Sequence, residues 1–505
     1  MGYIDSELSK LGTVKVGRLM NRREFVRMGA AVPLAAKLPV ATPKRKQPNV
    51  LYVFSDQHRQ CSLPGQPHNG AIAPNIAKFG HENLSFNQCI SNYPVCSPYR
   101  GMLMSGLWPM QSGIVDNAMQ LPTTVGSIGH AFSDAGYDTS YIGKWHLARN
   151  DGNFIPTGAG RQGFKDWHVW ARTNPHFDKS FTFDPNTGAR IQPKGYNCTL
   201  MTDQAVEFIH SRAAEAKPWM VMLSWNPPHP PFGDAPNAEK ALMRPENLPL
   251  RPNVKLNASH SNALESETRL REVQRNYFAH IAAVDLEFAR LLKALDETGQ
   301  TKDTIVIYTS DHGEMMGSQG YMDKRLPWEE SCNVPFMVRY PGVTPREKTS
   351  EILFSTIDIY PTLCGLAGIP IPPHCRGRDL SGAMRGEPIQ PPASVFLMHI
   401  SKDHATDGDE NVAPLFRGIR TNRHTYAIAN DGRWCLYDNQ EDPFQQNNLV
   451  DEASTVDLRE NLEKLILNWM KQAEDSFPLV SLSGKLSVHA NEAATLPVIG
   501  TDSRS

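Results

Sequence analysis

The sequence has little net charge, no long apolar run and no closely spaced pair of cysteines. Its 51 basic and 53 acidic residues leave a formal net charge of −2, which predicts no broad basic face and no nucleic-acid partner. No apolar run is long enough to predict a membrane span. The eight cysteines include no Cys-x-x-Cys pair, which disfavours a zinc knuckle or a redox dithiol. The 40% hydrophobic and 21% charged content is typical of a globular enzyme.

A chain of 505 residues predicts two domains of unequal size, because a single core rarely grows so large. Composition shifts to Pro, Gly and Arg near residues 370–386, and the segments that follow alternate like antiparallel strands. We therefore predict a leader at 1–47, a large domain at 48–370, a small antiparallel-sheet domain at 371–480 and a tail at 481–505. Oligomeric state and disulfide pairing stay open at this point.

The leader carries paired arginines before a short, weakly apolar stretch. Residues 21–27 read Asn-Arg-Arg-Glu-Phe-Val-Arg, and residues 28–36 are mostly Ala, Val and Leu. This arrangement resembles a twin-arginine export signal and predicts a periplasmic protein. The alternative is an ordinary basic amphipathic tail.

Several nearly continuous apolar runs predict strands that are buried on both faces of a mostly parallel sheet flanked by helices. The clearest runs are residues 49–56, 219–225 and 304–310. A long amphipathic helix is predicted within 267–299, with Leu286 among its apolar positions, and a shorter one at 123–135. Residues 150–200 are predicted to be an irregular insertion near a pocket mouth, where Trp167, Trp170 and Phe177 are candidate lining residues.

Two of these strands end in polar pairs. Asp56 and Gln57 follow the first strand, and Asp311 and His312 follow the strand at 304–310. Open α/β sheets hold ligands at the carboxyl ends of their strands. Oxygen donors there suit a hard divalent cation, so we predict a metal site, although each pair alone would also fit a plain turn.

The segment around Cys96 predicts a helix start aimed at the same edge. Pro98 suits a first helical turn, Ser97 is a candidate N-cap, and Gly106 is a plausible end. Cys96 would then lie at the positive end of the helix, where anions are favoured. Arg100 is one turn further along and so projects from the same face.

Four more side chains are candidates for charge stabilisation and proton transfer. Lys144 and His146 alternate after a predicted strand and are expected to point the same way. His229 lies between prolines that fix its backbone. Lys324 follows Asp323 and precedes Arg325, which is an equally charged alternative. Each of these residues alone could also be a surface or packing residue.

Together these motifs resemble the type I, formylglycine-dependent sulfatases of the alkaline phosphatase superfamily. The resemblance rests on Cys-Ser-Pro-Tyr-Arg from Cys96, Gly-Lys-Trp-His before Leu147, Pro-Pro-His around His229 and Asp311-His312-Gly, and it covers about residues 48–450 in family order. It implies an alkaline-phosphatase-like fold. It also implies that a maturation enzyme oxidises Cys96 to formylglycine, whose hydrate is the nucleophile.

The resemblance also implies a role for each candidate residue. A divalent cation, Ca²⁺ or alternatively Mg²⁺, is expected to be bound by Asp56, Gln57, Cys96, Asp311 and His312. The catalytic side chains are then expected to be Cys96, Arg100, Lys144, His146, His229 and Lys324. The expected substrate is a sulfate ester, preferably of a carbohydrate.

Two alternatives remain from the sequence. Most sulfatases carry Asp where this chain has Gln57, whereas related phosphonate and choline-ester hydrolases carry Gln. A phosphonate monoester or phosphodiester hydrolase on the same scaffold is therefore one alternative. The other is a non-catalytic glycan-binding relative in which Cys96 is never modified, which the intact set of charged residues disfavours.

Overall fold

The computed structural model describes residues 47–149, 153–170, 175–177, 179–192, 194–256, 264–401, 413–430 and 432–478. Within these ranges the chain forms a large mixed sheet with helices on both faces and a smaller antiparallel sheet. The predicted fold class is therefore confirmed. The arginine-containing leader and the tail from 481 lie outside the described residues, and the domain boundary at 370 stays a prediction.

The strands and helices have the following bounds. Strands of the large sheet are β1 (Asn49–Asp56), β2 (Leu84–Ile90), β3 (Asp138–Lys144), β4 (Asp166–Trp170), β5 (Thr182–Phe183), β6 (Arg190–Ile191), β7 (Trp219–Pro228), β8 (Thr304–Ser310), β9 (Asn333–Arg339), β10 (Lys348–Ser350) and β11 (Phe354–Ser355). Strands of the small sheet are β12 (Val395–His399), β13 (Phe416–Arg420), β14 (His424–Ala429) and β15 (Gly432–Asp438). The helices are α1 (Pro74–Glu82), α2 (Cys96–Ser105), α3 (Pro109–Ser112), α4 (Ile128–Asp134), α5 (Asn197–Ser211), α6 (Asn237–Lys240), α7 (Glu267–Glu297), α8 (Glu329–Cys332), α9 (Thr356–Ala367), α10 (Ser381–Met384) and α11 (Val456–Ala473).

The middle of the large sheet is parallel, and β1 lies at its centre. Its strand order is β10-β2-β9-β8-β1-β7-β3-β4-β5-β6, with β11 also paired to β2. β1 pairs in parallel with both β7 and β8, and β3 pairs in parallel with β7. The carboxyl ends of these four strands therefore meet at one edge of the sheet.

The continuous apolar character of β1 follows from its two buried faces. Val50, Tyr52 and Phe54 pack on the side of α2, α4 and α9, while Leu51 and Val53 pack on the side of α1, α5 and α7. Because successive strand residues point to opposite faces, a strand covered on both sides needs apolar residues at every position. The sheet is thereby fixed between two helical layers, and its edge is held rigidly.

The long helix α7 confirms the predicted amphipathic segment with one correction. Its N-cap Ser266 accepts a hydrogen bond from the Arg269 amide at 3.2 Å. The predicted apolar positions are fully buried except Leu286, whose side chain is 52% exposed. Leu286 lies two residues after Val284, which rotates it about 200° away from the buried face.

The described residues between 153 and 200 contain more regular structure than predicted. They contain β4, which extends the sheet beside β3, and the start of α5 at Asn197. Trp167 and Trp170 are core residues at 3% and 2% exposure, so they do not line a pocket mouth. The predicted helix at 123–135 is also shorter, because Ser127 caps it through the His130 amide and α4 begins only at Ile128.

The small sheet packs against the segment that leads into α2. Phe396 of β12 and Trp469 of α11 form a hydrophobic cluster with Tyr93, Val95 and other residues. The rings of Phe396 and Trp469 are stacked with centroids 6.5 Å apart. The small sheet and α11 therefore pack on the segment that leads into α2.

Candidate active site

The polar ends of β1 and β8 meet as the sequence predicted. Ser55 and Ser310 are register partners, so Asp56 and Asp311 directly follow paired positions. The Asp311 amide donates to the Ser55 carbonyl at 3.2 Å. Both carboxylates are fully buried. The strand register therefore fixes two acidic groups side by side.

Helix α2 delivers Cys96 to these carboxylates. The helix begins at Cys96 and ends at Ser105, followed by the C-cap Gly106, whose φ of 67° is left-handed and favours glycine. The prediction that Ser97 is the N-cap is wrong: Val95 occupies that position. Ser97 instead lies inside the first turn and donates its hydroxyl proton to the His146 carbonyl at 2.6 Å. This hydroxyl ties the helix start to the loop after β3.

Four predicted side chains converge on one point. Ligand atoms of Asp56, Cys96, Asp311 and His312 lie within 4.8 Å of one another, and all four residues are buried. His312 Nε2 is 3.2 Å from Cys96 Sγ and 3.6 Å from an oxygen of each carboxylate. Two carboxylates and one imidazole are a donor set that a divalent cation accepts.

The orientation of His312 and of the carboxylates suits such a cation. His312 Nδ1 donates to the Gly313 carbonyl at 3.0 Å, so Nε2 is the ring nitrogen that faces the cluster and that would bind a cation once its own proton is displaced. Arg100 Nη2 bonds the Oδ2 atoms of Asp56 and Asp311 at 3.2 and 3.3 Å. The Oδ1 atoms are therefore the ones that face His312.

Electrostatics of the cluster reflect two buried carboxylates in contact. Burial and the charge of Asp56 raise the pKa of Asp311 to about 6. Burial and Cys96 raise the pKa of Asp56, but the positive charges of Lys144, His229 and Arg100 outweigh them and keep the pKa of this carboxyl well below its ordinary value. Burial disfavours protonation of His312, yet Asp311 and Cys96 raise its pKa to about 9. The point where the four residues meet therefore attracts positive charge.

Arg100 and Lys144 supply fixed positive charge beside the cluster. Arg100 is fully buried and also donates through Nη1 to the Lys144 carbonyl at 2.6 Å and to Ser224 Oγ at 2.7 Å. Lys144 Nζ lies 2.5 Å from Asp56 Oδ2 and 3.8 Å from Cys96 Sγ. Both predicted cations therefore contact the acidic cluster directly.

The environment of Cys96 favours its anionic form. Burial by itself raises the pKa of the thiol, but the charges of Lys144 and Lys324 hold it well below its usual range. His312 and a hydrogen bond from His146 lower the thiol pKa further. An anion at residue 96 is thus stabilised by its surroundings, in agreement with its position at a helix start.

Lys144 and His146 do not reach residue 96 by simple alternation. Lys144 is the last residue of β3, but His146 has a left-handed φ of 56°. The chain therefore turns at His146, and the turn brings its imidazole to the thiol of Cys96. Both side chains lie next to the Cys96 thiol, but the extended backbone predicted to carry them there is wrong.

On the far side of the cluster, Lys324 connects Gln57 and His229. Lys324 Nζ donates to Gln57 Oε1 at 2.9 Å and lies 3.4 Å from His229 Nε2. His229 Nδ1 lies 2.7 Å from the Pro230 carbonyl, so Nδ1 carries the proton and Nε2 faces Lys324. The Gln57 amide oxygen therefore points to a lysine in this structure.

The structure separates Lys324 from its neighbour Arg325. Arg325 Nη1 pairs with Asp116 at 3.4 Å, whereas Lys324 reaches the Gln57 and His229 side chains. Burial opposes the charge of Lys324, but the carboxylate of Asp323 at 3.0 Å raises its pKa and keeps it protonated. Lys324 is thus the residue of the two that faces the cluster.

Sequence reasoning missed two supporting residues. Glu314 is fully buried and accepts from the Gln57 side-chain amide and from the Asp323 backbone amide. Ser224 accepts from Arg100 inside an otherwise apolar strand. The signals were present, because Glu314 stands three residues after Asp311 and Ser224 is an isolated polar residue in β7.

We expect Lys324→Met to lower kcat/KM by about 10²–10³-fold, because one preorganised charge beside the reacting group is lost. The matched control is Lys165→Met, which removes an exposed lysine and should leave kcat/KM unchanged. Steady-state kinetics on both variants provide the measurement. Equal activity of Lys324→Met and wild type would contradict the placement of Lys324 in the site.

Sequence and structural comparisons agree on one family. The sulfatase family profile matches residues 48–369, and the profile of the C-terminal part of N-sulphoglucosamine sulphohydrolase matches residues 317–472. An ulvan-active sulfatase from Formosa agariphila is 31% identical over 85% of this chain and 82% of its own length. An endo-4-O-sulfatase from Bacteroides thetaiotaomicron is 31% identical over 85% of this chain and 93% of its own length.

A solved structure confirms the fold. A protein from multiple-glycosaminoglycan metabolism in Bacteroides thetaiotaomicron superposes with a TM-score of 0.75 and is 30% identical, covering 85% of this chain and 97% of that one. The fold and the site define a hydrolase of the alkaline-phosphatase-like class. The chain belongs to the sulfatase family and is an enzyme that hydrolyses sulfate esters.

Proposed function

We propose that this sulfatase releases inorganic sulfate from a sulfated carbohydrate through an oxidised residue 96. The observation that carries the proposal is the convergence of Cys96 with two carboxylates, an imidazole and the cations Arg100 and Lys144. The carbohydrate assignment is supported by the names of the two relatives, one ulvan-active and one acting as an endo-4-O-sulfatase.

A divalent cation, which we propose to be Ca²⁺ rather than Mg²⁺, fits the acidic cluster. Asp56, Asp311, His312 and residue 96 would hold it, and Gln57 would join only after its amide oxygen leaves Lys324. The Nε2 atom of His312 and the Oδ1 atoms of both carboxylates, which face one another, support this ligand set. When bound, the cation supplies Lewis-acid charge beside the sulfate oxygens.

We propose that a maturation enzyme converts Cys96 to formylglycine, which supplies a hydroxyl nucleophile once hydrated. Cys96 fits this modification because it opens a helix, is surrounded by cations and has a low thiol pKa. Lys144, 3.8 Å from Sγ, stabilises negative charge at residue 96. His146, which hydrogen-bonds to the same atom, is the base that removes a proton there.

We assign stabilisation and protonation of the leaving group to Lys324 and His229. Lys324 neutralises charge on the sulfuryl oxygens, because its ammonium is buried next to the cluster. His229 acts as the acid when both of its ring nitrogens are protonated: the Nδ1 proton stays on the Pro230 carbonyl, and the Nε2 proton passes to the departing alcohol oxygen. Arg100 contributes by holding the carboxylates of Asp56 and Asp311 in one orientation.

We further propose export to the periplasm through the twin-arginine pathway. The proposal is supported by the paired arginines at 22 and 23, which lie outside the described residues. No described helix is both long and apolar enough to cross a membrane. The division of the mature chain near residue 370, with β12 as the first strand of the small domain, is proposed on the composition of 370–386.

The substrate and the nucleophile are tested separately. Incubation with ulvan, chondroitin 4-sulfate and heparan sulfate should release sulfate from at least one of them, whereas 4-nitrophenyl phenylphosphonate should be a much poorer substrate than 4-nitrophenyl sulfate. Preferential cleavage of the phosphonate would instead favour a phosphonate monoester hydrolase, the alternative that Gln57 suggested.

The mass of the tryptic peptide that contains residue 96 should be that of the aldehyde, and an unmodified thiol in active enzyme would overturn the proposed nucleophile.

We expect removal of divalent cations to abolish turnover. Two carboxylates, one of them bonded to two cations, cannot polarise a sulfate oxygen by themselves, so the loss should reach about 10³-fold or more. The measurement is activity after dialysis against a chelator, followed by titration with Ca²⁺ or Mg²⁺. Restoration by Ca²⁺ at lower concentration than by Mg²⁺ is the expected result, and full activity in the chelator would refute the metal site.

A further inference from the structure

A buried cluster of aromatic side chains lies behind the proline-rich loop that carries His229. We call His176, His280 and Tyr196 the imidazole cluster. Both histidines have no exposed surface, and their ring centroids are 4.6 Å apart. His280 Nδ1 lies 2.7 Å from the Tyr196 hydroxyl, and His176 Nε2 lies 2.8 Å from the backbone carbonyl oxygen of His229. The imidazole cluster is therefore hydrogen-bonded to the main chain of His229, a proposed catalytic residue.

The hydrogen bond between His176 Nε2 and the His229 carbonyl shows which ring nitrogen of His176 carries the proton. A carbonyl oxygen can only accept, so Nε2 of His176 carries the proton. Burial lowers the pKa of His176 to about 4 and lowers the pKa of His280 well below its usual value. Both rings are therefore neutral at neutral pH. His176 is a directional donor that adds no charge next to a site that already holds several cations.

The backbone of His176 is anchored on two sides. Its amide donates to Asp234 Oδ2 at 3.2 Å, and its carbonyl accepts from the Asn197 amide at 2.8 Å. Asp234 follows the proline-rich loop, Asn197 opens α5, and His280 belongs to α7. A single residue thus connects the loop of His229 to two helices of the core.

The His229 ring follows its own loop closely. Its Nδ1 is bonded to the carbonyl of the next residue, Pro230, at 2.7 Å, and the His229 amide donates to the Asn226 carbonyl at 3.1 Å. A shift of the His229 carbonyl therefore moves the whole ring and changes the 3.4 Å separation between Nε2 and Lys324 Nζ. Displacements of this kind can cost about 10²-fold in rate without removing any reacting group.

We propose that His176 is a positioning residue, which holds the His229 main chain so that Nε2 faces the leaving oxygen. This inference rests on the proposed role of His229 as the acid. His176 touches no reacting atom. It acts by holding the His229 carbonyl group in place, and with it the position of the His229 ring.

The test compares leaving groups. Without a well-placed acid, phenyl sulfate should suffer far more than 4-nitrophenyl sulfate, whose leaving group departs as a stable anion. We expect His176→Leu to lower kcat/KM for phenyl sulfate by about 10–100-fold and for 4-nitrophenyl sulfate by less than about threefold. His176→Gln should recover most of the loss, because its terminal amide can reach the His229 carbonyl.

Controls separate positioning from folding and from the role of His229 itself. His229→Ala should show the same selective loss, and His176→Leu in that background should add little, because both act on one step. Equal losses on both substrates, or no loss, in a His176→Leu protein with an intact fold by circular dichroism would overturn the inference. If the leucine variant does not fold, His176→Asn, which is too short to reach the carbonyl, carries the same expectation. A His229→Ala variant without leaving-group selectivity would overturn the proposed acid instead.

Discussion

Cys96→Ala should be folded and inactive, with a loss in kcat of about 10⁴–10⁶-fold, the size expected when a covalent nucleophile is removed. No other described side chain at the cluster can replace it. His312 Nε2 is the nearest candidate at 3.2 Å from Sγ, but it faces two carboxylates. Stopped assays of sulfate release on purified protein measure the effect.

Cys198→Ala is the matched control for this variant. Cys198 is equally buried but lies in α5, and its thiol is not part of the acidic cluster. Cys198→Ala removes a buried thiol away from the acidic cluster and should keep wild-type turnover. Substantial activity in Cys96→Ala, measured in a host without background sulfatase, would disprove a nucleophile at residue 96.

Arg100→Met should cost the metal-free protein about 3–5 kcal/mol of unfolding free energy, because it leaves two buried carboxylates without their shared cation. Arg100 bonds Asp56 and Asp311 at 3.2 and 3.3 Å, and none of the three side chains is exposed. Arg100→Lys should be less damaging but still destabilising, since one ammonium cannot bond both carboxylates as a guanidinium fork does. Urea unfolding in the presence of a chelator is the measurement.

The contrasting variant is Arg423→Met at the surface. Arg423 also pairs with a carboxylate, that of Asp438, but its side chain is 49% exposed. Solvent screens such a pair, so the unfolding midpoint should hardly move. A midpoint for Arg100→Met equal to that of Arg423→Met would show that the buried carboxylates do not depend on Arg100.

The sequence was most informative where a physical signal was local. Nearly continuous apolar runs located the bounds of β1 and β8, because a strand that is covered on both faces needs apolar residues at successive positions. Strand ends then placed Asp56 and Asp311, and helix geometry placed Arg100 one turn after Cys96. These inferences need only periodicity and the rule that parallel strands end at the same edge.

Contacts between distant segments could not be read in this way. Ser97 looked like a cap, but a carbonyl 49 residues later competes for its hydroxyl. His146 looked extended, but its backbone is left-handed. Gln57 was predicted as a metal ligand from its place at a strand end, and that place does not reveal its contacts with Lys324 and Glu314, more than 250 residues away. Such choices depend on which partner folding brings close, and no local pattern records that partner.

The central position of β1 in the sheet affects when the active site can form during synthesis of the chain. Ser55 meets its register partner in β8 across 255 residues of chain. At a synthesis rate of about 5–20 residues per second, the apolar β1 leaves the ribosome roughly 13–50 s before that partner exists. Until then one edge of β1 is open to wrong pairing, and Asp56 has no Asp311 beside it. A nascent chain that stops short of His312 therefore holds half a catalytic centre, however well its first strands have folded.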